Sequence, residues 1–365
     1  MQRNPLVALH DFGQSVWYDN ISRDLIASGE LARLIAEDGV LGVTSNPSIF
    51  ERAISTGKLY DADITALAVQ GKSVPEIYEA LAIADIQAAA DLLRPIYDRT
   101  DGLDGYISLE VSPRLAYDAA GTVAEARRLF AALGRPNVLI KVPATAAGLL
   151  AITELIAAGI NVNVTLIFAL RAYEAVADAY LFGLEARRAR GGDLRRVASV
   201  ASFFISRVDA AVDDLAPERL RGQAAIANAR LAYARFSEIF AGPRWDALAG
   251  LGAHVQWPLW ASTSTKRNPD VSPTLYVDTL IGPHTVNTMP PATLDAFRDA
   301  GQPAETITQG VAEARAFMAE LAAAGVDLDA VTENLLVEGV QAFADAFDQL
   351  LAGLAAKAQT LERGA

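Results

Sequence analysis

A lysine inside an apolar run is the first feature that points to chemistry. Residues 137–145 read Asn137, Val138, Leu139, Ile140, Lys141, Val142, Pro143, Ala144, Thr145, a short β-branched-rich strand preceded by Gly134, Arg135 and Pro136. A buried cation without a partner is costly, so a lysine in such a run calls for a reason. A desolvated lysine loses affinity for its proton, and a neutral amine can attack a carbonyl to form a Schiff base. The alternative is a side chain that snorkels from a strand end to water. The other lysines (Lys58, Lys72, Lys266 and Lys357) fall in polar surroundings, Lys357 in a polar tail expected to fray, so only Lys141 interrupts a strand.

Other polar residues recur at the ends of short apolar runs. Asp19 closes residues 15–19, Asn46 follows 41–45, Glu110 closes 105–110, Ser202 closes 197–202, and Ser262 follows 254–261. Residues 161–168 alternate, with Asn161, Asn163 and Thr165 on one face and Val162, Val164 and Leu166 on the other. A strand covered by helices should be apolar on both faces, so a polar face marks a site. Each residue also has a purely structural reading. Asp19 can cap the next helix, Asn46 before Pro47 can be a turn residue, and Arg207 can pair with Asp209 on the surface. Schiff-base chemistry needs acid and base groups around the amine, and two carboxylates in one cleft can divide that work. Amides and hydroxyls suit sugar hydroxyls. Arg207, Ser262, and Lys266 or Arg267 suit a phosphate.

The elements that must position these groups alternate. Helical periodicity marks residues 5–13, 22–38, 48–98, 112–133, 145–158 and 208–250, and helices close the chain. Eight strands, the last at 284–289, call for a parallel sheet, and eight strand–helix repeats fit a (β/α)₈ TIM barrel with extra helices. Chemistry in such barrels sits at the C-terminal strand ends, where these polar residues fall. No linker divides the chain. Residues 1–365 read as one domain, with a helical insertion around 51–104. The competing architecture, an open doubly wound sheet, usually shows a Gly-rich first turn that is missing here.

Composition narrows the partners. A net charge of −13 argues against nucleic acid and anionic membranes. The absence of cysteine and the scatter of His10, His254 and His284 leave no evident metal ligand set, so no metal and no cofactor is expected. The start lacks the apolar run of a signal peptide, and no stretch approaches the length of a membrane span, which points to a cytoplasmic protein. The expected partners are small-molecule sugar phosphates, with the chain a monomer or homodimer.

Residues 42–50 (Gly42, Val43, Thr44, Ser45, Asn46, Pro47, Ser48, Ile49, Phe50) resemble the first signature of the transaldolases, and residues 138–149 resemble the second, with the lysine in place. Residues 161–168 and 261–266 match further family segments, and the likeness covers roughly residues 4–350. The chain is most similar to the longer bacterial type. The resemblance implies a class I, metal-free barrel enzyme of the pentose phosphate pathway. It would move a dihydroxyacetone unit from sedoheptulose 7-phosphate to glyceraldehyde 3-phosphate, giving erythrose 4-phosphate and fructose 6-phosphate. Carried over position by position, it makes Lys141 the Schiff-base lysine and Asp19 the proton acceptor in carbon–carbon cleavage. Glu110 would work through a water held with Thr165. Asn46, Asn163 and Ser202 would bind hydroxyls, and Arg207 and Ser262 phosphate. Shorter members carry an arginine two residues after the serine at Ser262; here Ser264 stands there, leaving Lys266 or Arg267 as the further cation. The neighbouring activity is a fructose-6-phosphate aldolase-type lyase on the same scaffold. Such relatives carry a glutamine where Glu110 stands and a tyrosine near Phe204, so Glu110 and Phe204 favour the transferase.

Overall fold

The computed structural model describes residues 3–266 and 270–364. Eight strands form a closed barrel in sequence order, every neighbouring pair parallel. They are β1 (Gln14–Tyr18), β2 (Val40–Val43), β3 (Ile107–Glu110), β4 (Val138–Pro143), β5 (Val162–Ile167), β6 (Ser199–Phe204), β7 (Trp257–Ala261) and β8 (Thr285–Met289). Helices surround the barrel, as a (β/α)₈ fold requires. Among the described residues, no helix is long and apolar enough to cross a membrane.

The barrel interior is filled from the bottom by Trp17. Its register partners are Gly42 on β2 and Thr288 on β8, so all three point inward at one level. A Cβ on Gly42 would lie 2.4 Å from the indole, so only glycine lets Trp17 lie across the lumen. The indole N–H donates to Asp104 at 3.0 Å, and the Ser15 hydroxyl donates to the same carboxylate. Burial pushes the Asp104 carboxyl up to about 6, and these donors, with the Gly105 N–H, oppose the rise. The plug confines the open part of the lumen to the C-terminal ends of the strands.

The turn after β4 shows how the sequence aims that end. Thr145 caps helix Ala146–Ala158 by accepting from the Gly148 N–H at 2.9 Å. A Cβ on Gly148 would fall 1.9 Å from the Pro143 carbonyl oxygen, so the helix turns back directly against the strand. Asn46 likewise caps helix Pro47–Thr56 through the Ile49 N–H, with Pro47 at the first helical position.

Several boundaries differ from expectation. The helix expected over 22–38 divides into Arg23–Ala27 and Glu30–Glu37, because Gly29 takes a left-handed conformation between them. The segment after β2 is three α-helices, Pro47–Thr56, Asp61–Val69 and Val74–Arg99, with a 3-10 turn at Lys58–Tyr60 between the first two. β6 begins two residues later and runs through Phe204, which places Phe204 on the barrel wall. The largest difference is the C-terminus. Residues expected to fray continue helix Leu328–Gly364. Lys357 is fixed within it, donating to the carbonyls of Ile54 at 2.8 Å and Gly57 at 2.6 Å and pairing with Asp61 at 2.8 Å. Those carbonyls end helix Pro47–Thr56 and have no partner within it, so the ammonium satisfies them.

This C-terminal helix crosses the open end of the barrel. Near its middle a Cβ on Gly339 would sit 2.9 Å from Leu166 at the end of β5, and Phe343 follows one turn later. Leu166 itself has φ +60°, where the β5–β6 register shifts.

Gly42→Ala should overpack the Trp17 plug and cost about 1–3 kcal/mol, read as a lower midpoint in thermal or urea unfolding. An unchanged midpoint would contradict the plug.

Candidate active site

Register explains why the chemistry-bearing side chains meet. Glu110 on β3 is the register partner of Lys141 on β4, and Lys141 and Pro143 on β4 are the partners of Asn163 and Thr165 on β5, so successive strands deliver Glu110, Lys141, Asn163 and Thr165 to neighbouring inward positions. Lys141 is 6% exposed. Its ammonium donates to the Ser45 carbonyl at 2.9 Å and lies 3.9 Å from Glu110 Oε2. It does not snorkel to water. The Phe343 ring, brought over the mouth by the C-terminal helix, has its centroid 5.9 Å from the same nitrogen.

Two carboxylates face the lysine in different environments. Glu110 Oε2 is buried and accepts no hydrogen bond from the described protein. Burial pushes this carboxyl up to about 7; the Lys141 charge opposes the rise and Asp19 adds to it. Asp19 follows β1 directly, its backbone N–H bonded to the Met289 carbonyl. Burial raises its proton affinity, while a hydrogen bond from Thr44 and the charge of Lys141 hold it down. The Thr44 hydroxyl donates to Asp19 Oδ1 at 2.6 Å and meets the Thr288 hydroxyl at 2.6 Å, which links β1, β2 and β8 across the barrel seam. With Thr44 donating to Asp19, Thr288 donates to Thr44.

Asn163 is fully buried, donating to the Ser108 hydroxyl at 3.0 Å and accepting from Ser202 at 2.7 Å. These three groups form a polar layer on the floor of the mouth. Thr165 stands one layer above, and its hydroxyl has no hydrogen-bond partner among the described residues. Glu110 Oε2 and Thr165 Oγ1 are therefore two buried polar atoms presented to the mouth without a protein partner. Asn46 lies at the rim, its side-chain oxygen engaged as the helix cap.

The remaining candidates lie along one side. Phe204 packs on Phe168 at 5.1 Å, and the Arg207 guanidinium stands 5.5 Å from the Phe204 ring. Asp209, the alternative partner of Arg207, accepts from the Ala225 N–H and the Tyr276 hydroxyl, each at 2.7 Å. Ser262 has φ +57°, an uncommon conformation for serine, and its hydroxyl meets that of Ser206 at 2.9 Å. Lys266 is exposed in the loop beyond β7, and Arg267 lies outside the described residues. Among the described residues no group of three or more His, Cys, Asp or Glu is placed to hold a metal.

Sequence reasoning singled out neither Thr44, Thr288 nor Phe343. Thr44 lies within the first signature segment, but its partnership with Thr288 exists only once the barrel closes. A cavity of about 240 Å³ adjoins the site, reached past Ser45, Asn46 and Glu110 and walled by Tyr78, Phe347 and Leu351.

The chain matches the family described as "Transaldolase/Fructose-6-phosphate aldolase" over residues 16–354. It is 55% identical over 355 residues to a protein named "Transaldolase" from Parafrankia sp. (strain EAN1pec), covering 95% of this chain and 96% of that one. It is 52% identical over 358 residues to "Transaldolase 1" of Streptomyces avermitilis, covering 96% and 94%. It is 53% identical over 347 residues to a "Transaldolase" of Thiobacillus denitrificans, covering 93% and 96%.

The electrostatics predict opposite shifts from two substitutions. Lys141→Met removes the charge that holds Glu110 down, so Glu110 should titrate above its position near 7; Asp19→Asn should move it lower. Infrared titration of the carboxyl stretch, with Glu110→Gln to assign the band, reads both. A band that moves in neither variant would show that the three groups are not coupled.

Proposed function

This chain belongs to the transaldolase/fructose-6-phosphate aldolase family, and we propose that the cluster around Lys141 performs its reaction through an imine on that lysine. The protein is an enzyme, a transferase of the transaldolase type. The reaction moves a dihydroxyacetone unit from sedoheptulose 7-phosphate to glyceraldehyde 3-phosphate, giving erythrose 4-phosphate and fructose 6-phosphate. The observation that carries the imine reading is Lys141 buried at the C-terminal mouth of the barrel with Glu110 at 3.9 Å.

In this reading the Lys141 ammonium first gives a proton to Glu110, and the neutral Nζ attacks C2 of the ketose. Glu110, with an affinity near neutrality, gives a proton to the departing hydroxyl of the carbinolamine and takes one back when water returns. Thr165 Oγ1 and Glu110 Oε2 hold the water between them. Asp19 takes the proton of the C4 hydroxyl as the C3–C4 bond breaks. Its burial makes it a stronger base than an exposed carboxylate, and the chain Thr288–Thr44–Asp19 fixes its aim. The electrons of the broken bond pass to the iminium, leaving an enamine and a free aldehyde. Carbon C3 of the enamine then adds to the acceptor aldehyde, and hydrolysis releases the new ketose. No cofactor is required, because the iminium is the electron sink. Asn46, Asn163 and Ser202 bind substrate hydroxyls, while Arg207 and Ser262 take the phosphate with help from Lys266 or Arg267. The strained backbone at Ser262 supports a functional role there. We further propose sugar phosphates as the partners, with no nucleic acid and no membrane, a cytoplasmic location, and a monomer or homodimer. The lyase alternative is disfavoured by a carboxyl at Glu110 and a phenyl ring at Phe204.

Borohydride added with fructose 6-phosphate should fix a reduced dihydroxyacetone on the peptide carrying Lys141; a label on another lysine, or on none, overturns the imine. Glu110→Gln should slow transfer to erythrose 4-phosphate by roughly 10²–10⁴-fold. Arg207→Ala should raise KM for phosphorylated sugars far more than it lowers kcat on an unphosphorylated acceptor. Equal losses on both would remove Arg207 from the phosphate site.

A further inference from the structure

We infer that Phe343, carried over the barrel mouth by the C-terminal helix, keeps water off the Lys141 adduct and so sets how often the dihydroxyacetone unit is transferred rather than lost. The inference rests on the imine reading of Lys141 and deepens it.

A transferase that holds a covalent three-carbon unit faces a specific hazard. Between release of the first aldehyde and arrival of the second, water can hydrolyse the iminium and free dihydroxyacetone. Suppressing that loss requires an apolar group against the nitrogen and its carbon. The strand neighbours of Lys141 are polar or acidic (Glu110, Asn163 and Thr165), and Ser45, just past β2, gives its carbonyl. Phe343 is the apolar ring that faces the nitrogen, at 5.9 Å to its centroid, and it is 8% exposed. That separation also lies within the range where an aromatic face attracts a cation, so the ring favours a charged nitrogen beneath it.

The helix holds the ring there through contacts on both sides. On the N-terminal side, Gly339 lets the helix close onto Leu166, whose left-handed backbone lies directly after Thr165, where the β5–β6 register shifts. On the C-terminal side, Phe347 packs edge-on against Tyr78 at 5.5 Å, and Tyr78 against Phe50 at 5.8 Å. Farther along, Lys357 ties the helix to the carbonyls of Ile54 and Gly57. Residues 339, 343 and 347 recur every four positions, so one face of one helix makes these contacts. Phe343 makes none of the hydrogen bonds that position Asp19 or Asn163, so its truncation acts on access to the adduct.

The test compares two rates on the full chain with fructose 6-phosphate: free dihydroxyacetone formed without acceptor, and transfer to erythrose 4-phosphate. In Phe343→Ala the ratio of release to transfer should rise about tenfold or more, with borohydride labelling of Lys141 retained. Phe343→Val, a milder truncation, should raise the ratio by less and carries the test if the alanine variant does not fold. If both rates fall together and the ratio stays at the wild-type value in either folded variant, Phe343 is a packing residue only and the inference fails. Loss of labelling at Lys141 in the wild-type enzyme would instead defeat the imine reading itself, so the two failures are distinguishable.

Discussion

The structure depends on keeping one ammonium group inside a barrel. Lys141 is buried, and its nitrogen is answered by one backbone carbonyl and by the Glu110 carboxyl at the edge of contact. A fully compensated buried ion pair would be inert, and an uncompensated one would destabilise the fold by several kcal/mol. The 3.9 Å separation from Glu110 lies between these limits. Burial pushes the Glu110 carboxyl up to about 7 and the Lys141 charge opposes the rise, so this carboxyl can give and take protons near neutral pH.

The rest of the fold serves that arrangement. Trp17 and Asp104 fill the lower lumen, so the polar layer of Ser108, Asn163 and Ser202 has a solid floor. The barrel seam is joined at the level of the chemistry by Thr44 and Thr288, which couples closure of β1 against β8 to the aim of Asp19. The C-terminal helix then covers the mouth. Its attachment through Lys357 joins the last turns of the chain to helix Pro47–Thr56, whose cap, Asn46, lies at the rim of the site. The site is thus bounded by segments from nearly the whole length of the chain.

Much of this was legible in the sequence because it is local. A lysine in an apolar strand, a carboxylate at the end of another, and an alternating Asn–Thr face each follow from periodicity two within a few residues, and parallel register carries them to one level. The signature segments add roles that periodicity cannot assign. What could not be read depends on closure or on distant packing. Thr288 gains meaning only when β8 meets β1, 244 residues from its partner Thr44. Phe343 looks like an ordinary stripe residue of an amphipathic helix until that helix is placed over Lys141. Lys357 reads as part of a frayed tail in the sequence because its acceptors lie about 300 residues earlier. Phe204 reads as lying just past its strand because an aromatic pair after Ser202 carries no signal of where a strand stops.

The most direct measurement of the central claim is nitrogen-15 NMR of the lysine side chains in enzyme labelled at lysine Nζ. The chain has five lysines, and the resonance lost in Lys141→Arg assigns the one of interest. On addition of fructose 6-phosphate that resonance alone should leave the amine region for the imine region, and it should return when excess erythrose 4-phosphate discharges the adduct. Five resonances that all remain in the amine region through turnover would contradict a covalent role for Lys141.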